Sequence, residues 1–357
     1  MLKSMPPGPP ILILDSRAAW WSWRSGGPPR RWRSGLADSN ANLRRIFIGG
    51  VPRSGTTLIQ SMLAAHPDVT TFPESHFFST IVDDLDWKKF GLANGGRTRG
   101  GAAMARAGVA RARRTMDIPS RRAEANIEKF LGRAGLEHHR HRFAENAGSI
   151  RGMTRAFVST LDEAARGGAW VEKTPNHIFR TDLISALVDD AIFIHIVRNA
   201  EDTIASIKHA ADRHEGWSHR YLRGADTVPR MVALWRRGVQ CSLGKVGRPG
   251  HLVLYYDDVV REPHAAARAI AAHVGLDFTD AMLTPDTTSA VLSYETWKSN
   301  VSGPIQMAGS RFATVFTPQQ QAEIRRRLAT APAPGDLARA IHTARPARSA
   351  LAAQNLI

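Results

Sequence analysis

The chain has 357 residues with 48 Lys and Arg, 32 Asp and Glu, and one cysteine, Cys241. That length can bury a large core, while a single cysteine excludes an intramolecular disulfide and a cysteine-rich zinc site, so a reducing cytoplasm is the expected location. The formal charge of +16 is uneven: residues 1 to 45 hold eight Lys/Arg against two Asp/Glu, and residues 97 to 142 hold twelve against four; the nearly neutral remainder argues against a specific nucleic-acid binder.

Residues 1 to 40 carry the proline clusters Pro6-Pro7-Gly8-Pro9-Pro10 and Pro28-Pro29, with Trp20, Trp21, Trp23 and Trp32 set among arginines. No period holds, so we expect a flexible basic arm, either an inert tail or a segment that contacts an anionic surface. The apolar run Ile11 to Leu14 is far shorter than the ~18 residues a membrane span needs. Its length and flanking prolines also argue against a secretory signal.

From Arg45 to Pro67 the sequence RRIFIGGVPRSGTTLIQSMLAAHP reads as strand, tight loop and helix. Ile46, Phe47 and Ile48 suit a buried strand, and Gly49, Gly50 and Pro52 mark the turn after it. Leu58, Ile59, Met62 and Leu63 recur at helical spacing. The loop Pro52 to Thr57 therefore sits at a helix N-terminus, where unpaired N–H groups and the positive dipole end favour a phosphate. A nucleotide-hydrolysing loop would read GxxxxGK[ST]. Here no lysine is present, and Arg53 offers a forked, permanently charged donor instead.

The wording PRSGTTL, continued by HPDV at 66 to 69, resembles the 5′-phosphosulfate loop of sulfotransferases that use 3′-phosphoadenosine 5′-phosphosulfate. It is most similar to the tyrosylprotein sulfotransferases and the bacterial group related to them. The resemblance implies that Arg53 and the backbone of Ser54, Gly55, Thr56 and Thr57 hold the phosphosulfate without a metal. Glu74 follows Arg53 by twenty-one residues, the spacing at which that family carries its glutamate general base. A carboxylate within reach could take the proton of an attacking hydroxyl; the plainer reading of Glu74 is a solvated or helix-capping side chain. His76 and His177 are the reserve candidates for the base.

Between Lys88 and Arg142 the chain turns to Gly, Ala and Arg, reading as a loop and then a helix from Ile127 to Leu136. Insertions of this kind tend to cover the acceptor site in the family. The run Glu137-His138-His139-Arg140-His141-Arg142 lacks a cysteine or a second acidic cluster and reads as a solvated basic face rather than a metal site. Ala169 to Lys173 is a short strand that breaks at Thr174-Pro175. EKTPNH resembles the family segment whose lysine contacts the oxygen bridging sulfur and phosphate, which gives Lys173 the role of offsetting leaving-group charge. Read alone, Lys173 beside Glu172 is a surface ion pair.

Ala191 to Val197 is the clearest buried strand, followed by Arg198, by Asn199 as a helix cap, and by Ile204 and Ile207 on one helix face. Ser206 lies eight residues after Arg198, which resembles the family's 3′-phosphate segment, with arginine and serine both on the phosphate. Pro229 to Val246 reads as an amphipathic helix and His251 to Tyr255 as a strand. Tyr256 begins the next helix and matches a family tyrosine that touches the nucleotide, with Tyr255 as the alternative. Lys298, Ser310 and Arg311 resemble, loosely, the loop that folds over the adenosine. A helix from Pro318 to Leu328 and an alanine-proline tail follow.

These readings give an α/β chain with a P-loop-like three-layer fold. It has a mostly parallel sheet with strands near 46, 169, 191 and 251, helices on both faces and a basic helical insertion. The expected boundaries are an arm at 1–40, a sulfotransferase domain at 41–330 with an insertion at about 88–145, and a tail at 331–357. The implied reaction is in-line sulfuryl transfer to a hydroxyl, with no metal and no covalent enzyme intermediate. The acceptor stays open among carbohydrate, metabolite, lipid and protein, as does the oligomeric state. A small-molecule kinase and a non-catalytic polyanion binder are the competing classes.

Overall fold

The computed structural model describes residues 43–82, 112–213, 227–285, 305–307, 309–331 and 334–342. The arm at 1–40, the insertion up to residue 111, Lys298 and the C-terminal tail beyond 342 lie outside the described residues.

Five strands form one sheet: β1 (Arg44–Gly50), β2 (Val69–Phe72), β3 (Ala169–Lys173), β4 (Ala191–Val197) and β5 (His251–Tyr255). Their order is β2-β3-β1-β4-β5, and every neighbouring pair is parallel. Four lie where the apolar runs predict them. The fifth, β2, is an addition to the sequence reading. Val69, Thr70 and Thr71 are β-branched and favour a strand, but β2 sits at the sheet edge with only Phe72 fully buried, so no continuous apolar run announces it.

The pleat divides the core. On one face Ile46, Ile48, Val171, Ile194 and Leu254 pack with Ile59 and Met62 of α1 (Thr56–Ala64). On the other, Phe47, Trp170 and Phe193 meet α2 (Phe77–Thr80), α3 (Ala123–Ala134) and α4 (Ile150–Ala164). Farther along that second face, Val197, Val253 and Tyr255 pack against α5 (Ala200–Arg213) and α6 (Thr227–Leu243). Successive strand residues point to opposite sides, so two apolar faces require helices on both, and three layers result.

Two helix boundaries differ from expectation. α3 starts at Ala123 rather than Ile127 and stops before Gly135, whose φ of 69° supplies a left-handed C-cap. α6 runs from Thr227 to Leu243, with Pro229 tolerated in its first turn, where no intrahelical N–H bond is needed. The chain leaves β1 toward β2 on one side and β4 toward β5 on the other. The crevice at the carboxyl ends of adjacent β1 and β4 is thus the topological switch point, where open α/β sheets bind ligands. Among the described residues no helix is long and apolar enough to cross a membrane.

Candidate functional site at the carboxyl ends of the strands

The loop after β1 is shaped by its own residues. Ser54 N donates to Val51 O at 3.0 Å, closing a turn with Pro52 in the second position and Arg53 in the third at φ 71°. Proline there followed by a positive φ is the pattern of a type II turn. Arg53 occupies a left-handed conformation that is sparsely populated for a residue with a Cβ. Gly55 follows at φ 102°. A Cβ on Gly55 would come within 2.4 and 2.7 Å of the Tyr256 ring, so the glycine serves both conformation and close approach. Thr56 then opens α1.

Cations converge on this loop. The Nε of Arg53 donates to Ser206 Oγ at 3.1 Å. Its pKa is pulled down to about 10, first by burial and then by the nearby charges of Arg198 and Arg311, with Glu74 acting in the opposite sense. Arg198 lies over the Tyr256 ring at 4.4 Å and 3.5 Å from Asp202 Oδ2. Its Nε is buried with no hydrogen-bond partner among the described residues, and so is Ser54 Oγ. Asn199 Oδ1 accepts from Asp202 N at 2.9 Å, capping α5 as its sequence position predicts. Tyr256, not Tyr255, faces the loop; Tyr255 is buried in the second-face cluster.

On the other side of the crevice Lys173 Nζ donates to Glu74 Oε1, while His76 Nε2 lies 3.6 Å from Glu74 Oε2. Lys173 is 1% exposed at its side chain, so it is no surface pair with Glu172. The two neighbours point to opposite faces of β3. Glu172 is fully buried and accepts from Ser75 N at 3.0 Å, Ser75 Oγ at 2.7 Å and Thr174 Oγ1 at 2.7 Å. His177 Nδ1 is 2.7 Å from its other oxygen. Burial alone would raise the Glu172 carboxyl, but His177, Thr174 and Ser75 together hold it below the ordinary range. His177 is itself buried between Phe47 and Phe78, which removes it as a reserve base.

The buried network of Ser75, Glu172, Thr174 and His177 was missed in the sequence. Its signal is there: Glu172 falls on the same strand face as Trp170, and a charge at an inward position demands partners. Of the histidines in this run, His138 and His141 are exposed, as a solvated face requires, but His139 is buried. His141 Nδ1 turns to His138 O at 3.0 Å, and no three potential ligands gather among the described residues.

Residues 45–280 match the model described as "Sulfotransferase family". The chain belongs to that family. Protein-tyrosine sulfotransferase 2 of Gallus gallus is 24% identical over 242 residues, 67% of this chain and 53% of that protein. Human protein-tyrosine sulfotransferase 1 is 57% identical over 37 residues, 10% of each chain. The chain thus spans about half the length of the first of these relatives. Among solved structures, the sulfotransferase domain of the Synechococcus PCC 7002 olefin synthase superposes with a TM-score of 0.48 at 20% identity. It covers 83% of this chain and 98% of that one.

Proposed function

We propose that this family member transfers a sulfuryl group from 3′-phosphoadenosine 5′-phosphosulfate to a hydroxyl acceptor. The single observation that carries the reading is the gathering of Arg53, Arg198 and Arg311 about one lysine-free loop, close enough for the last two to depress the first. Three guanidinium groups in one place repel one another and call for an anionic ligand of several charges. Arg198 Nε and Ser54 Oγ, buried and without a hydrogen-bond partner among the described residues, are donors suited to a phosphate, so the residues present fit the nucleotide.

In this reading Arg53 and the backbone of Ser54, Gly55, Thr56 and Thr57 hold the 5′-phosphosulfate at the positive end of α1. Arg198 and Ser206 take the 3′-phosphate, with Arg311 beside them and Tyr256 under Arg198. The donor supplies a sulfuryl group on a good phosphate leaving group. Glu74 takes the acceptor proton as its oxygen attacks. Lys173, already paired with Glu74, gives its charge to the bridging oxygen as that bond breaks. Lys298 belongs to the proposed nucleotide loop by sequence alone. The catalytic domain is proposed to extend over 41–330 and to work in the cytoplasm. Protein-tyrosine sulfotransferases name a protein acceptor for the relatives; here the acceptor class is left at a hydroxyl.

Calorimetry with adenosine 3′,5′-bisphosphate in chelator, against ATP with magnesium, tests the donor. Metal-independent binding of the bisphosphate supports it, and a magnesium-dependent preference for ATP overturns it in favour of a kinase. A screen of phenols, sugars and tyrosine peptides with labelled sulfuryl donor then identifies the acceptor.

A further inference from the structure

The basic insertion is tied into the segment that carries Glu74. On the inner side, residues 74–76 run beside the end of β3: Glu74 meets Lys173, Ser75 meets Glu172, and His76 N donates to Thr174 Oγ1 at 3.1 Å. α3 supplies partners from the other side. Arg133 Nη2 donates to Glu74 O at 2.9 Å, and Asn126 Nδ2 donates to Ser75 O at 2.5 Å. The two donors are seven residues apart on one helix face and take two successive carbonyls. Among the described residues β2 is the edge strand, so no further strand there bonds the chain that leaves it.

α3 does not need these bonds to stay in place. Its apolar stripe of Ile127, Phe130 and Leu131 is fully buried against Phe77, Phe78 and Phe157. The polar pair sits beside that stripe, aimed at the one backbone segment from which the carboxylate projects.

We propose that Asn126 and Arg133 are positioning residues: they clamp the backbone of Glu74 and Ser75 so that the Glu74 carboxylate stays against Lys173. This makes α3 part of the catalytic apparatus instead of a surface addition. The inference rests on the reading of Glu74 as the base.

The test uses the full chain in four forms: wild type, Asn126→Leu with Arg133→Met, Arg133→Lys, and Glu74→Gln. Amide hydrogen exchange reads residues 73–78, calorimetry reads affinity for adenosine 3′,5′-bisphosphate, and labelled-donor turnover is followed on 4-nitrophenol. In the Leu/Met form, exchange of 73–78 should rise about tenfold, in keeping with the loss of a hydrogen bond to a charged donor. Exchange in β1 and β4 and bisphosphate affinity should hold. Turnover should fall through kcat at unchanged donor KM, and Arg133→Lys should recover part of both losses. Unchanged protection of 73–78 in the Leu/Met form overturns the proposal, as does a rise spread over the whole sheet. The exchange result stands whether or not 4-nitrophenol is accepted. If Glu74→Gln keeps full turnover while the Leu/Met form still frees 73–78, the base is misassigned and the clamp remains. If Glu74→Gln is inactive and the Leu/Met form behaves as wild type, the clamp alone fails.

Discussion

Arg198 rests over the ring of Tyr256, its guanidinium carbon 4.4 Å from the ring centroid, and the same ring fills the space beside Gly55. One aromatic side chain thus spaces a guanidinium from the loop that carries Arg53. A face-on ring also restrains a guanidinium that would otherwise drift away from a neighbouring cation.

Replacing Arg198 by Met should weaken adenosine 3′,5′-bisphosphate by ~1.5–3 kcal/mol, the range for a hydrogen bond to a charged group. Adenosine 5′-phosphate should be little affected. Calorimetry with the two nucleotides reads the difference, and an equal loss for both would assign Arg198 to structure.

Gly55→Ala should disrupt the loop without unfolding the sheet. The new methyl would strike Tyr256 and would sit at φ 102°, a conformation costing roughly 1–3 kcal/mol for a residue with a side chain. Adding Tyr256→Ala removes the clash but leaves the backbone cost. Bisphosphate affinity should therefore recover only in part in the double variant, and full recovery would show that conformation is irrelevant there.

Glu74→Gln should keep donor affinity and lose roughly two to four powers of ten in turnover, the usual contribution of a positioned general base. Glutamine retains the shape and a partner for Lys173 while removing basicity. Single-turnover rates with saturating labelled donor measure the effect. Near-normal rates would shift attention to His76, which lies 3.6 Å from the same carboxylate.

Stability should decline with acid through a histidine pair away from the site. His195 Nε2 and His251 Nδ1 are 2.9 Å apart. His251 is lowered to about 4 by burial and then by Lys245, with His273 and Arg248 adding and Asp182 opposing. His195 is held well below its ordinary value mainly by burial. The unfolded chain therefore binds protons first. Stability is unaffected above the unfolded value of about 6.5 and is lost as pH falls from there toward 4. Urea midpoints at pH 7.5, 6 and 5 should drop less in His251→Gln than in wild type; parallel curves would contradict the assignment.

The sequence made the central strands legible because they are buried on both faces: Ile46 to Ile48 and Ala191 to Val197 read as apolar runs with turn residues after them. The order Arg53, Arg198, Ser206 and Tyr256 was legible too, and the fold brings all four to the switch point. The pairing within that set was not. Arg53 reaches Ser206 across a sequence gap no local pattern spans, and Arg198 meets Tyr256 because each directly follows the paired ends, Val197 and Tyr255, of the adjacent strands β4 and β5. β2 escaped notice because an edge strand with one buried side chain leaves little periodicity. Glu172 escaped because its neighbour Lys173 suggested an exposed pair, whereas strand alternation sends the two charges to opposite faces.

That alternation makes length the sensitive variable at this site. Phe72 pairs with Glu172 in register, and Glu74, Ser75 and His76 meet Lys173, Glu172 and Thr174 just beyond. β2 ends at Phe72, so removing one residue between Phe72 and Glu74 would draw each following side chain one place back along the chain, out of its pairing with the end of β3. The Glu74 carboxylate would then leave Lys173, Ser75 would take its place there, and His76 would take the place of Ser75 beside Glu172. Conservative replacements at Pro73 should be absorbed, while a single deletion there should cost both the Glu74–Lys173 pair and the Ser75 donors of the buried Glu172. Tolerance to loop-length change can be scored from expression and folding alone, with no acceptor in hand.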